Sequence, residues 1–220
     1  MLPHSPTGQW PPEVPPYRPP MPPAEPPAPT HAPGVSPVLP SWEEYETPRQ
    51  PDLADRLLEQ RIVLVSGNLD DDLANRTVSQ LLVLGRQRGP VELHLTCDRS
   101  ELGPALMLAD AVDLVRPKVK ALVSGVLRGP AVAVLCACEH RAAHHNALFV
   151  LSLPGTRRAV GSTTEVVHLS QQLALQEAQL RSRITAVTGR TDEQVAEDLS
   201  AGRLLPAEQA KDYGLLHEVL

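Results

Sequence analysis

Between Arg61 and Leu153 the chain alternates short β-rich runs with apolar helical runs, and nothing else in it restricts the fold as strongly. RIVLVSG (61–67), VELHLTC (91–97), VKALVSG (119–125) and ALFVLSL (147–153) have the lengths and β-branched content of strands. DDDLANRTVSQLLVLGRQRG (70–89), LGPALMLADAVDLV (102–115) and PAVAVLCACEH (130–140) read as the helices between them. Strands joined by helical crossovers pair in parallel, so the expected fold is α/β: a mainly parallel sheet with flanking helices.

Local chemistry sets the element ends. Asp70, Asp71 and Asp72 can cap the positive end of the first long helix. Leu73, Val78, Leu81 and Leu82 form its apolar stripe, and Gly85 or Gly89 ends it. Pro104 suits the first turn of the next helix. Ser162-Thr163-Thr164-Glu165 matches a capping box. It opens a long helix with Val166, Leu169, Leu173, Leu180, Ile184 and Val187 on one side, stopped by Gly189. That length predicts a projecting or oligomerising helix rather than a buried one. Thr191 to Gln194 repeats the capping pattern before another helix. PAEQAKDYGLL gives a short helix with proline near its start and Gly214 past its end, and HEVL a last short strand.

The chain divides near residue 51. Eighteen of its 24 prolines lie in residues 1–51. Proline has no amide hydrogen and fixes φ, so this stretch predicts a disordered, polyproline-II-biased tail before a domain over 52–220. Trp10, Tyr17, Trp42 and Tyr45 also lie in the tail, where composition favours a solvated segment and the aromatics would suit a docking one. SWEEYETP would be a short anchored piece before the domain.

Other classes are disfavoured. A formal net charge of −6 offers no basic stripe for nucleic acid. No apolar run approaches the roughly 20 residues of a membrane helix, and MLPHSPTGQW has no signal-peptide pattern. Three cysteines, Cys97, Cys136 and Cys138, fit a reducing, cytoplasmic setting better than a disulfide scaffold.

The same elements, in this order, resemble the proteolytic subunit of the Clp protease, a serine peptidase on a crotonase-like α/β fold. ADRLLEQRIVLVSGNLDDDLANRTVSQLLVL, VELHL followed by LMLADAV, VSG before the turn at Arg128-Gly129-Pro130, and LLPAEQAKDYGLL carry the resemblance over about residues 53–220. DDxxANR and AEQAKDYGL are its specific parts. The resemblance implies stacked rings of subunits, a hexameric ATPase as partner, and no metal or organic cofactor for peptide cleavage. It makes the long helix the handle between rings. It also places the tail where the family has a pore-lining segment that contacts the ATPase.

The family's triad is Ser-His-Asp: serine attacks, histidine takes its proton, aspartate orients the imidazole. Aligned residue by residue, the nucleophile position holds Gly129, the base position Ser152 and the acid position Asp198. Asp198 alone keeps its chemistry. The oxyanion glycine pair aligns with Arg99-Ser100, and the residue after the nucleophile position is Pro130, which has no N–H to donate. Losing one such donor costs about 3–4 kcal/mol of transition-state stabilisation. The expected protein is a pseudoprotease, a structural or regulatory subunit in a homo- or hetero-oligomeric Clp-type ring. The alternative is an active Clp-type endopeptidase, which requires a different register at Gly129, at Ser152 and at the glycine pair.

Other reactive-looking residues read more simply. Cys136, Cys138, His140, His144 and His145 contain metal-ligand types, but two cysteines at i and i+2 of a helix diverge. They are expected to be buried cysteines and a solvated histidine loop. Cys97, at a strand end with no histidine aligned beside it, is expected to be a core thiol. Ser124 and His168 occupy no nucleophile elbow.

Overall fold

A computed structural model of the chain describes residues 53–115, 119–154 and 163–220, all within the unit Pro48–Leu220. The Pro-rich tail with SWEEYETP, and Ser162 of the expected capping box, lie outside the described residues.

The described elements begin α1 (Leu53–Glu59), β1 (Ile62–Leu69), α2 (Asp71–Leu84), β2 (Val91–Ser100), α3 (Leu102–Leu114) and β3 (Val119–Arg128). A single 3-10 turn (Gly129–Ala131) leads into α4 (Val132–Ala137), followed by β4 (His140–Ala143) and β5 (Leu148–Leu151). The chain ends with α5 (Thr163–Thr188), α6 (Asp192–Ala201), β6 (Arg203–Pro206), α7 (Ala207–Tyr213) and β7 (Glu218–Val219).

The sheet has the order β1-β2-β3-β4-β7, and β5 also pairs with β3. All of these pairings are parallel; only β6, against β5, is antiparallel. β3 forks. Lys120 to Val123 pair with β4, whereas Val126 to Arg128 pair with β5. Between the two halves lies Gly125 at φ +65, a conformation glycine adopts without a Cβ penalty. The β1–β2 and β2–β3 registers shift at the same level, between Ser66 and Asn68 and between Leu95 and Cys97. Such irregularities bend strands. Here they precede the strand ends that form the cleft described below.

Along β1 and β2 buried and exposed residues alternate. Val63, Val65, Leu93 and Leu95 point into the core, while Leu64 and Glu92 are exposed. The core lies between this inward face and the buried sides of α2, α3 and α4. In α2, Asp70 accepts a hydrogen bond from the Leu73 N–H at 3.0 Å, and Gly85 is the C-cap. Ala74, Thr77, Leu81 and Leu84 make its buried side, so Leu82 does not belong to the apolar stripe: it is exposed.

The expected helix 130–140 is the largest correction. The α-helix stops at Ala137, Cys138 is extended, and His140–Ala143 is a strand between β3 and β7. His140 is thus not part of a histidine loop. Among the described residues, α5 buries side chains in its second half: Leu180 and Ile184 are buried, whereas Val166, Leu169 and Leu173 are exposed. Arg183 fixes that half to α3 through Asp110 and Asp113. The Thr191–Gln194 capping box is complete, and Gly214 caps α7 at φ +98.

Candidate functional site

The ends of β1, β2 and β3, the 3-10 turn, the entrance to α3, the segment after β5 and one side of α5 enclose a cleft of about 730 Å³. Ligands in open α/β sheets bind at these carboxyl ends of the strands. Gly129, Ser152, Arg99, Ser100 and Pro130 all line the cleft.

The turn has the backbone of an elbow. Gly129 sits at φ +64, left-handed, between the extended Arg128 and the helical Ala131. A side chain there would cost about 1–2 kcal/mol, which glycine avoids. A Cβ on Gly129 would stand 3.4 Å from Ser100 Oγ, 3.4 Å from the Ser152 carbonyl oxygen and 3.6 Å from Ser152 Oγ. The structure therefore brings Gly129, Ser152 and Ser100 together from three separate segments. Leu127↔Phe149 and Arg128↔Val150 pairing sets that meeting.

Ser100 has taken over the turn. Its hydroxyl donates to the Arg128 carbonyl at 2.7 Å and accepts from the Ala131 N–H at 3.0 Å. Pro130 has no N–H, so the next backbone donor of the turn is bound to a serine oxygen. The arrangement satisfies a helix start and leaves an incoming carbonyl oxygen without that donor.

Asp198, on α6, does not line the cleft but lies beside its edge, because Leu151 pairs with Arg203. Its carboxylate accepts from Arg203 Nη1 at 2.8 Å and from the Tyr213 hydroxyl at 2.6 Å. Burial favours its neutral form. The Tyr213 and Arg203 hydrogen bonds outweigh that and hold its pKa below the usual aspartate value. Burial, then the Asp198 bond, pushes the Tyr213 phenol up well above its ordinary value. The Arg190 guanidinium covers the Tyr213 ring, 3.8 Å from its centroid, a cation–π contact. Both oxygens of the Asp198 carboxylate thus have partners, Arg203 on one and Tyr213 on the other. Sequence reasoning gave Arg203, Tyr213 and Arg190 no role. Tyr213 stood within AEQAKDYGLL, but nothing local ties it to a carboxylate 15 residues earlier.

Cys97, Cys136 and Cys138 are free and buried. Burial pushes the Cys97 thiol up to about 11 and the other two up to about 12. In native protein at pH 8, none of the three is expected to react with a thiol reagent within minutes, and all three should react after unfolding in guanidinium; rapid native labelling would contradict this burial. Cys136 lies in α4 and Cys138 is its C-cap. Among the described residues no group of three or more His, Cys, Asp or Glu could hold a metal ion. Likewise, no helix there is long and apolar enough to cross a membrane. Ser124 is half-buried with its carbonyl bonded by Thr96, and His168 lies exposed on α5.

Fold and cleft together define an α/β protein with an active-site-like turn at the sheet's carboxyl end. The Clp protease family model matches residues 44–220. An ATP-dependent Clp protease proteolytic subunit of Dehalococcoides mccartyi strain BAV1 is 29% identical over 173 residues, 77% of this chain and 86% of that protein. ATP-dependent Clp protease proteolytic subunit 1 of Thermobifida fusca is 25% identical, over 76% of this chain and 77% of its own. The Cutibacterium acnes protein of the same name is 24% identical, over 83% and 88%. The chain belongs to the Clp protease family.

Proposed function

We propose that the chain is a catalytically inactive Clp-type proteolytic subunit with a structural or regulatory place in an oligomeric ring. The observation that carries this reading is the pair Gly129-Pro130 at the elbow: no nucleophile, and no amide hydrogen behind it. Ser152 beside Gly129 supplies a hydroxyl where the family's mechanism needs a base near neutrality. Ring membership is supported by the exposed Val166, Leu169 and Leu173, which line up along one side of the first half of α5 and are left uncovered by the described residues. The tail would then block or re-specify docking of a hexameric ATPase.

The test is expression alone and together with an active Clp proteolytic subunit from the same source, followed by native mass and cleavage of a fluorogenic peptide. The lone chain is expected to cleave nothing. The pair should form a mixed ring whose activity differs from that of the active subunit alone, and removing residues 1–50 should change ATPase binding. Peptidase activity in the lone protein, abolished by changing Asp198, would overturn the reading. A chain that never enters a mixed ring would remove the regulatory role.

A further inference from the structure

Arg99 and Arg128 stand on adjacent strand ends, because Cys97 pairs with Leu127. Both are exposed and both line the cleft. Neither guanidinium has a hydrogen-bond or ion-pair partner among the described residues, and the Ser152 hydroxyl has none either. Ser100 is the contrasting case, its hydroxyl already bonded on both sides. Three residues with unengaged donor groups therefore line one space. Much of the remaining wall is apolar: Leu102, Pro104, Leu153, Pro154, Leu169 and Leu173. Of the two glutamates lining the cleft, Glu101 has a partner of its own and Glu177 comes from α5.

A guanidinium pairs with a carboxylate through two parallel N–H···O bonds, about twice as strong as neutral ones. A space of this size accepts a few residues of extended peptide. We propose that the cleft holds the C-terminal carboxylate of an apolar peptide, with Arg99 and Arg128 as the anion-binding pair and Ser152 as a further donor. The inference rests on the reading of an inactive cleft, since a peptide that is not attacked can stay bound.

The experiment uses the full-length protein and a fluorescein-labelled pentapeptide of alanine and leucine, prepared as free acid and as C-terminal amide. Fluorescence anisotropy reads binding, and mass spectrometry reads the peptide afterwards. The free acid is expected to bind at least about tenfold tighter than the amide. Arg99→Gln/Arg128→Gln should abolish that preference while melting temperature and circular dichroism stay unchanged, and Arg99→Lys/Arg128→Lys should keep part of it. Equal binding of acid and amide, binding of neither, or a preference that survives the double glutamine variant would overturn the proposal. So would inorganic phosphate that binds more tightly than the acid peptide, which would assign the site to a free anion. A cleaved peptide would instead sink the reading of an inactive subunit, so the two failures are separable.

Discussion

Gly129→Ser/Ser152→His, which places serine and histidine at the positions that the sequence resemblance aligns with the family's nucleophile and base, is expected to show peptidase activity at least about 10³-fold below that of an active family member. Space is not the obstacle. The new Cβ would stand 3.4 Å or more from its neighbours, ordinary van der Waals contact, and the positive φ adds roughly 1–2 kcal/mol of strain. The obstacle is the developing oxyanion. Pro130 cannot donate, and the Ala131 N–H is held by Ser100 Oγ at 3.0 Å. A missing oxyanion donor alone costs about 10²–10³ in kcat. A new imidazole would also find Asp198 engaged by Arg203 and Tyr213. Adding Pro130→Ala and Ser100→Gly to the double variant restores one N–H and frees another, and should raise hydrolysis of a fluorogenic peptide by about 10². If the double variant alone came within tenfold of an active relative, the donors would not be limiting.

Much of the scaffold was legible because its signals are local. The α2 cap at Asp70, the capping box at Thr191 and the stop at Gly214 each depend on contacts within a few residues. The end of α4 was not legible. Val132 to Cys136 are all buried, so no exposed side marks a helical period, and the apolar run gives no sign of where helix becomes strand. β4 and β6, four residues each, are too short to show a period of their own. Ser152 and Gly129 could be aligned in sequence, but their proximity depends on β3 pairing with β5. The Ser100 bond to Ala131 spans 31 residues, and no sequence pattern encodes it. The alternation in VELHLTC matches the one buried and one more exposed side of β2.

Asp198 is expected to matter for stability through the two partners of its carboxylate. Asp198→Ala removes the acceptor for a Tyr213 hydroxyl bonded at 2.6 Å and for Arg203 at 2.8 Å. It leaves a largely buried phenol unpaired, between two guanidinium groups that no longer face a carboxylate. Loss of a charged acceptor with its partners left unsatisfied costs about 2–3 kcal/mol, on the order of a hundredfold in the folding equilibrium. Tyr213→Phe should cost less, because it removes the donor and the unsatisfied group together. The pH dependence has a definite sign. The Asp198 pKa is lower folded than its ordinary value of 3.8, so its contribution is fully present above that value and is lost as pH falls through the lower folded pKa. Denaturant unfolding of wild type and Asp198→Asn, measured from pH 6 down to pH 3, should show the gap between them narrowing below about pH 4. A gap that is constant over this range would mean that the Asp198 charge contributes nothing to the fold. Asp198 would then be held by packing alone. A gap that closes on acidification would make Asp198 a structural tie between α6, β6 and α7.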